Sequence, residues 1–130
     1  MKIMESAENY LEAILMLKEE NGYARSIDVA NRLHFSKPSV SVAMKNLREN
    51  GYITVGEEGH LDLTEKGLQI ALKMYERHKV LSAWLVSLGV NEEVALEDAC
   101  RMEHDISTET FNAMKRHFHE CHGIHDVWES

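Results

Sequence analysis

Apolar residues recur every three or four positions over most of this 130-residue chain, a spacing that predicts helices with one buried face. The first such run covers residues 3–20 and ends at Asn21-Gly22, a natural helix stop. Two polar residues of this helix, Asn9 and Glu12, lie three positions apart and border the apolar stripe, so they are neighbours on its surface. They are either ligands for a bound group or ordinary solvated side chains.

Two short helices joined by a tight turn are predicted next. Ser26 can cap the first, which reaches Leu33, and Ser36 can cap the second, which runs from Pro38 to about Asn50. Small polar residues at the start of the second helix and basic residues further along are typical of a helix-turn-helix, in which that helix enters the major groove. The predicted buried stripe of this recognition helix is Val40, Ala43, Met44 and Leu47.

Residues 52–63 form two alternating, β-rich runs around the turn Gly56-Glu57-Glu58-Gly59, which predicts a hairpin. A hairpin directly after the recognition helix makes a winged helix-turn-helix. The alternative is a ribbon that only closes the small core, and the two acidic residues at the tip argue against a strong grip on phosphate.

Three further helices are predicted in the rest of the chain. Each starts at a residue whose side chain can cap a helix, namely Thr64, Asn91 and Ser107. The fold class is therefore mainly α, with a winged helix-turn-helix domain at 1–66 and a helical domain at 67–130. The helices are expected at about 65–88, at about 92–105 and from 108 to about 119.

The formal net charge of −8 is unevenly distributed. Residues 1–88 hold 11 Lys and Arg against 12 Asp and Glu, whereas residues 89–130 hold 3 against 10. Within residues 21–50 the balance is +3, which suits a surface that faces phosphate. The candidate DNA contacts are the start of the recognition helix and nearby basic residues: Arg25, Ser36, Lys37, Pro38, Ser39, Lys45 and Arg48.

The chain lacks an apolar run long enough to cross a bilayer and a signal-peptide pattern at its start, so a cytoplasmic protein with no membrane partner is expected. Its two cysteines, Cys100 and Cys121, are too few for a disulfide framework. In a reducing compartment each is expected to be reduced, as a metal ligand or core residue and not as part of a disulfide.

The run Cys100-Arg101-Met102-Glu103-His104 carries the most specific chemistry, because positions i, i+3 and i+4 share one face of a helix. A thiol, a carboxylate and an imidazole on one face are good donors for a first-row transition metal. Together with Asn9 and Glu12 on the first helix and His78 on the long one, three helices would supply one site. The alternative is an amphipathic helix with a buried cysteine beside a solvated Glu-His pair.

A second candidate metal centre lies in residues 117–125, which hold four histidines and Cys121. Such a cluster can bind zinc or copper. Histidine is also favourable at the C-terminus of a helix, so the tail has an ordinary structural explanation as well.

Several segments together resemble the diphtheria toxin repressor family of metal-dependent bacterial transcription regulators. The resemblance covers nearly the whole chain. Because the sequence ends before the position of the SH3-like domain of the longer iron-dependent members, the resemblance implies the short, two-domain manganese-type architecture. The matching segments are Asn9-Tyr10-Leu11-Glu12-Ala13-Ile14, Tyr23-Ala24-Arg25, Ser36-Lys37-Pro38-Ser39-Val40-Ser41, Leu63-Thr64-Glu65-Lys66-Gly67, Arg77-His78 and Glu97-Asp98-Ala99-Cys100-Arg101-Met102-Glu103-His104.

The resemblance implies a metal site formed by Asn9, Glu12, His78, Cys100, Glu103 and His104. Two of these depart from the short members, which have Asp in place of Asn9 and Glu in place of Cys100. The iron-dependent branch has Cys at the second position but Met at the first. An amide and a thiolate should tolerate Fe²⁺, Co²⁺ or Zn²⁺ better than an all-oxygen-and-imidazole site would, which leaves selection for Mn²⁺ in question.

The leading hypothesis is a homodimeric repressor that a divalent metal activates to bind a double-stranded DNA operator. The resemblance implies that the C-terminal helical domain is a dimerisation domain. Its fifth and sixth helices are expected to offer apolar residues that this short segment cannot bury alone. Two other hypotheses are a winged-helix regulator without metal and a small metalloenzyme. The residues expected at the dimer interface are Val94, Ala95, Phe111, Met114 and Phe118.

Overall fold

The computed structural model describes the backbone of residues 5–122 and the side chains of residues 6–120. This part of the chain contains six α-helices, a two-stranded antiparallel sheet and a short 3-10 turn, which confirms the mainly α fold class. The elements are α1 (Glu5–Asn21), α2 (Ser26–Leu33), α3 (Lys37–Glu49), β1 (Ile53–Val55), β2 (Leu61–Leu63), α4 (Glu65–Ser87), α5 (Glu92–Asp105) and α6 (Thr108–His122).

The chain divides into two compact units, Met1–Lys73 and Met74–Ser130, with the division inside α4. The first unit contains the helix-turn-helix and the hairpin, and the second contains the rest of α4 with α5 and α6. No helix in the part of the chain described here is long and apolar enough to cross a membrane.

Capping residues determine where the helices of the first unit begin. Ser36 caps α3 as predicted, because its Oγ accepts from the backbone N–H of Ser39 at 3.3 Å. The prediction that Ser26 caps α2 is wrong, since Arg25 is the capping position and its backbone N–H donates to Asp28 Oδ2 at 3.2 Å. An acidic side chain three residues into the helix can satisfy the capping backbone group, and this displaced the expected start by one residue.

The wing is a short hairpin in which Ile53 pairs with Leu63 and Val55 with Leu61. Leu61 also donates its backbone N–H to Ala24 O at 2.8 Å, which attaches the wing to the loop between α1 and α2. A side-chain ion pair between Lys18 and Asp62 joins the same strand to α1. The base of the wing is therefore held by the helical part of the first unit.

The start of α4 packs tightly against Tyr52, which lies between α3 and β1. Thr64 accepts from the backbone N–H of Gly67 at 3.2 Å and donates its hydroxyl to Gly51 O at 2.7 Å, which confirms it as the cap. Gly67 lies against the backbone of Tyr52, where a Cβ would overlap the carbonyl oxygen. Only glycine allows this approach between helix and chain.

The second unit has its own apolar core, formed by Val80, Leu81, Ala99 and Phe111, with Met102, Ile106 and Met114 packed against it. The prediction that Ala95, Phe111 and Phe118 are left for a dimer partner is wrong, because all three are buried in the single chain. Val80 and Leu81 of α4 pack in one core with Ala99 and Phe111. The prediction from the sequence considered only the residues after α4. Val94, by contrast, is 46% exposed, as expected.

Candidate metal centre and nucleic-acid interface

In the second unit a buried carboxylate lies between two imidazoles. Glu103 Oε2 is 3.3 Å from His78 Nδ1, and Glu103 Oε1 is 3.5 Å from His104 Nε2. The side chains of Glu103 and His104 are 0% and 1% exposed, and that of His78 is 17% exposed. A carboxylate removed from water is costly unless a cation or charged hydrogen-bond donors compensate it, so this arrangement suits a bound metal ion.

The donor atoms fit a first-row divalent cation, because one carboxylate and two neutral imidazoles are ligands that Mn²⁺, Fe²⁺, Co²⁺ and Zn²⁺ all accept. His78 comes from the middle of α4, while Glu103 and His104 come from the last turn of α5. Within the second unit, the structure thus brings together three of the six residues that the sequence assigned to metal.

Cys100 lies one turn before Glu103 on α5 and is exposed. The sequence placed the two on one face, yet the carboxylate is buried and the thiol is not. The alternative of a buried cysteine beside a solvated Glu-His pair is wrong, because burial is the reverse of what it required.

The remaining two candidates lie on α1, in the first unit. Glu12 is only 5% exposed, and Asn9 is partly buried. The alternative of a solvated carboxylate is therefore wrong for Glu12. Next to them burial raises the pKa of Tyr10, whose ring packs edge-on against Phe35 at 5.8 Å, so this part of α1 is apolar.

One buried cation of the second unit did not stand out in the sequence. Arg77, adjacent to His78, is 3% exposed and donates from Nη1 to the backbone oxygens of Glu103 and Ile106, each at 2.8 Å. Nη2 donates to Thr108 Oγ1 at 3.3 Å, and the guanidinium carbon lies 5.4 Å from the centre of the Phe111 ring. The only sequence signal was its place beside His78 in the Arg77-His78 match.

The second candidate metal centre, the histidine-rich tail, falls mostly outside the described residues. His117 is exposed, with its ring centre 6.1 Å from that of Trp84. The side chains of Cys121 and His122, and all of residues 123–125, lie outside the described part of the chain.

The recognition helix α3 presents a polar and basic surface to solvent. All six predicted contacts on it or at its cap are exposed, whereas Val40, Met44 and Leu47 are buried and Ala43 is partly buried. Val42 is 61% exposed among the polar residues. The exposed predicted contacts are Ser36, Lys37, Pro38, Ser39, Lys45 and Arg48.

Two other basic residues of the first unit are already paired with carboxylates. Arg32 makes two contacts of 2.9 Å with Glu20, and Lys18 pairs with Asp62. Within the described residues, the basic side chains of α3 make no such ion pair. Their charge is therefore available for phosphate.

Arg25 differs from the other predicted DNA contacts. It is partly buried, and its Nη2 lies 3.3 Å from His60 Nε2, with its guanidinium 5.6 Å from the centre of the Tyr23 ring. The rings of Tyr23 and His60 stack at 5.3 Å, and Glu58 of the wing tip is 3.9 Å from Arg25. The structure thus groups Arg25 with the wing instead of with the recognition helix.

A winged helix with an exposed basic recognition helix, followed by a helical unit with a buried His-Glu-His cluster, defines a DNA-binding regulator with a metal-binding domain. Two domain-family models match the chain. The iron dependent repressor N-terminal DNA binding domain matches residues 2–61, and the iron dependent repressor metal binding and dimerisation domain matches residues 64–123. The chain belongs to the iron-dependent repressor family, as its resemblance to metal-dependent repressors predicted.

Relatives with known names support this membership. The chain is 39% identical over 119 residues to the transcriptional regulator MntR of Escherichia coli O6:H1, covering 92% of this chain and 76% of that protein. It is 37% identical over 111 residues to the HTH-type transcriptional regulator MntR of Geobacillus thermodenitrificans, covering 85% and 77%.

A solved manganese-dependent transcriptional repressor complex with manganese matches with a TM-score of 0.75 and 26% identity, covering 86% of this chain and 52% of that one. The present chain thus spans about half the length of that solved structure. The family consists of transcriptional regulators, so the metalloenzyme hypothesis is set aside.

Proposed function

We propose that this protein is a homodimeric transcriptional repressor that binds a double-stranded DNA operator when a divalent metal ion is bound. The observation that carries the proposal is the buried Glu103 between His78 and His104, in a chain that also contains a DNA-binding domain. A metal ion would place a positive charge beside this buried carboxylate. The cytoplasm, where such an operator would be reached, is the proposed compartment.

The proposed ligands are Glu12, His78, Glu103 and His104, with Cys100 and Asn9 as further candidates. Support for the α1 residues comes from the sequence resemblance and from the burial of Glu12. The exposed Cys100 would have to turn inward on metal binding. Mn²⁺ or Fe²⁺ is the proposed physiological ion, and the thiol makes Zn²⁺ and Co²⁺ possible occupants.

The mechanism follows from the origin of these ligands in two units of the chain. A metal that takes ligands from α1 and from α4 and α5 would restrict the recognition helices of a dimer to one spacing. That spacing must match half-sites separated by whole helical turns of DNA, about 34 Å each. The bound cation would also lower the negative charge of an acidic protomer and so reduce its repulsion from DNA.

Binding to the DNA upstream of the protein's own gene tests the proposal. The chelated protein should bind this DNA weakly, and adding Mn²⁺, Fe²⁺ or Zn²⁺ one at a time should increase its affinity for the DNA. The size of the increase ranks the metals as activators. Equal binding with and without every metal would instead support a metal-independent winged-helix regulator.

Replacement of Arg48 by Ala should weaken binding to all DNA sequences about equally. Loss of one phosphate contact should also reduce the slope of log affinity against log salt concentration by about 1. The matched control is Arg32→Ala, because Arg32 is exposed but held by Glu20. An unchanged salt slope in Arg48→Ala would contradict the placement of this phosphate contact.

Ser39→Ala, by contrast, should alter sequence preference more than overall affinity.

Dimerisation is proposed to need no metal, because it rests on apolar contact. Val86, Leu88, Val94 and Leu96 of the second unit are between 43% and 66% exposed, and Val86 and Leu96 line one shallow groove between α4 and α5. A second copy of this chain is the proposed occupant, since this domain family is one of dimerisation domains.

Sedimentation of the chelated protein should show a dimer at tens of micromolar, and Leu96→Asp should raise its dissociation constant about tenfold or more, since a charge would enter an apolar contact. Leu72→Asp is the control, because Leu72 is 48% exposed but lies in the first unit. A monomeric wild-type protein under these conditions would disprove metal-independent dimerisation.

A further inference from the structure

The last turn of α5 carries two of the proposed ligands at a place where a helix is weakest. The final four carbonyl groups of a helix have no partner within it, and here they belong to residues 102–105. Ile106 follows in an extended conformation with φ −108° and ψ 148°, so α5 ends without the left-handed residue that commonly satisfies such carbonyls. Glu103 and His104 thus depend on other contacts to keep their orientation.

Arg77 supplies those contacts from the neighbouring helix. Its Nη1 donates to the backbone oxygens of Glu103 and Ile106, and its Nη2 donates to Thr108 Oγ1 at the start of α6. A cation at the C-terminus of a helix is also favourable to the helix dipole. One buried guanidinium therefore fixes the end of α5 and the turn into α6.

The position of Arg77 links this contact to the metal donors on both helices. Arg77 precedes His78 on α4, and it binds the main-chain oxygen of Glu103, whose carboxylate faces His78 at 3.3 Å. A shift at the end of α5 would consequently move Glu103 and His104 relative to His78. We propose that Arg77 is a positioning residue that holds Glu103 and His104 in place to receive the metal, an inference that rests on the proposed metal-activated function.

The chemistry of arginine suits this role better than that of lysine. A planar guanidinium has several donors in fixed directions, so it can donate to two carbonyl oxygens and a hydroxyl while it lies over the Phe111 ring. Lysine keeps the charge but has a single nitrogen on a flexible stem. Arg77→Lys therefore removes the geometry and retains the cation.

The experiment compares Arg77→Lys and Arg77→Met with Lys115→Met. Lys115 is the matched control, because it is a cation of the same unit that joins α6 to α4 by pairing with Glu76 at 3.0 Å. Titration with Mn²⁺ and Co²⁺ should show unchanged stoichiometry and a dissociation constant raised about tenfold or more in both Arg77 variants, the usual effect of losing a residue that orients ligands. Lys115→Met should bind metal as the wild type does.

Two readouts separate positioning from a general loss of stability. The Co²⁺ absorption spectrum of Arg77→Lys should differ from that of the wild type, because the ligands adopt another geometry. In the chelated protein, amide hydrogen exchange should become faster at residues 102–108 and stay unchanged earlier in α5. A lower melting temperature with wild-type metal affinity and Co²⁺ spectrum would overturn the proposal and leave Arg77 a purely structural residue.

The outcomes also distinguish this inference from the proposed function. If the wild-type protein bound no metal, both would be overturned. If it bound metal through His104 but Arg77→Lys bound equally well, only the positioning role would be lost. Should Arg77→Met fail to fold, Arg77→Lys decides the question alone.

Discussion

Replacement of His104 by Ala should abolish the metal-stimulated part of DNA binding and leave the metal-free protein folded. His104 contributes an imidazole to the cluster around Glu103, 3.5 Å from its carboxylate, and its side chain is 1% exposed. Loss of this donor removes one of the two imidazoles proposed to bind the metal, and a first-row divalent ion binds such nitrogen ligands well. The core of the second unit, formed by Val80, Leu81, Ala99 and Phe111, is untouched.

The measurement combines metal titration with DNA binding before and after chelation. His104→Ala should show weaker metal binding and no increase in DNA affinity on adding metal, while its basal DNA affinity and circular dichroism match the chelated wild type. His117→Ala, which removes an exposed histidine of the tail in the same unit, is the comparison for the rival site and should bind metal as the wild type does if the central site holds the ion. Unchanged metal stoichiometry and affinity in His104→Ala would exclude the central site and leave the tail as the candidate metal centre.

Two substitutions, at the positions where this chain differs from the family pattern, should each shift the preference among metals without abolishing binding. Cys100→Ser should weaken Zn²⁺ and Co²⁺ more than Mn²⁺, because it exchanges a soft donor for a hard one. Asn9→Asp should favour Mn²⁺ by adding an anionic oxygen. Because Cys100 is exposed, a Cys100→Ser variant with wild-type affinity for every metal would remove the thiol from the ligand set without affecting His104.

Replacement of Gly67 by Ala should lower the free energy of unfolding by about 3 kcal/mol, because the added methyl group overlaps backbone atoms that cannot change rotamer. A Cβ at this position would overlap Tyr52 O and lie 3.0 Å from the carbonyl carbon of Tyr52. The higher helix propensity of alanine offsets only about 1 kcal/mol of any such cost. Urea denaturation of the metal-free protein measures the effect.

Gly56→Ala is the control for Gly67→Ala. The nearest atom to a Cβ at Gly56 is His60 O at 3.8 Å, an ordinary contact, and its φ of −92° is open to any residue. Its unfolding free energy should change by less than about 0.5 kcal/mol, as expected for a surface substitution. Equal stability of the two variants would show that α4 can move away from Tyr52 without loss.

Local patterns in the sequence were sufficient for the helices, the hairpin and most of their ends. Apolar spacing reports which face of a helix is buried, and capping by Ser36, Thr64 and Asn91 depends on side chains within three residues. Ser26 failed as a cap because Asp28 competed for the same helix start through the backbone of Arg25. The family and the class of function also followed from the sequence, since several short motifs matched in order.

Burial and contacts between distant residues were decided only by the tertiary structure. Helical spacing placed Cys100 and Glu103 on one face, but it could not tell that Glu103 is buried and Cys100 exposed, because burial depends on what packs against the helix. Phe111 and Phe118 became core residues instead of a dimer surface for the same reason. The sequence singled out Arg77 only as the neighbour of His78, and its bond to the carbonyl of Glu103, 26 positions away, exists only because α4 and α5 pack together.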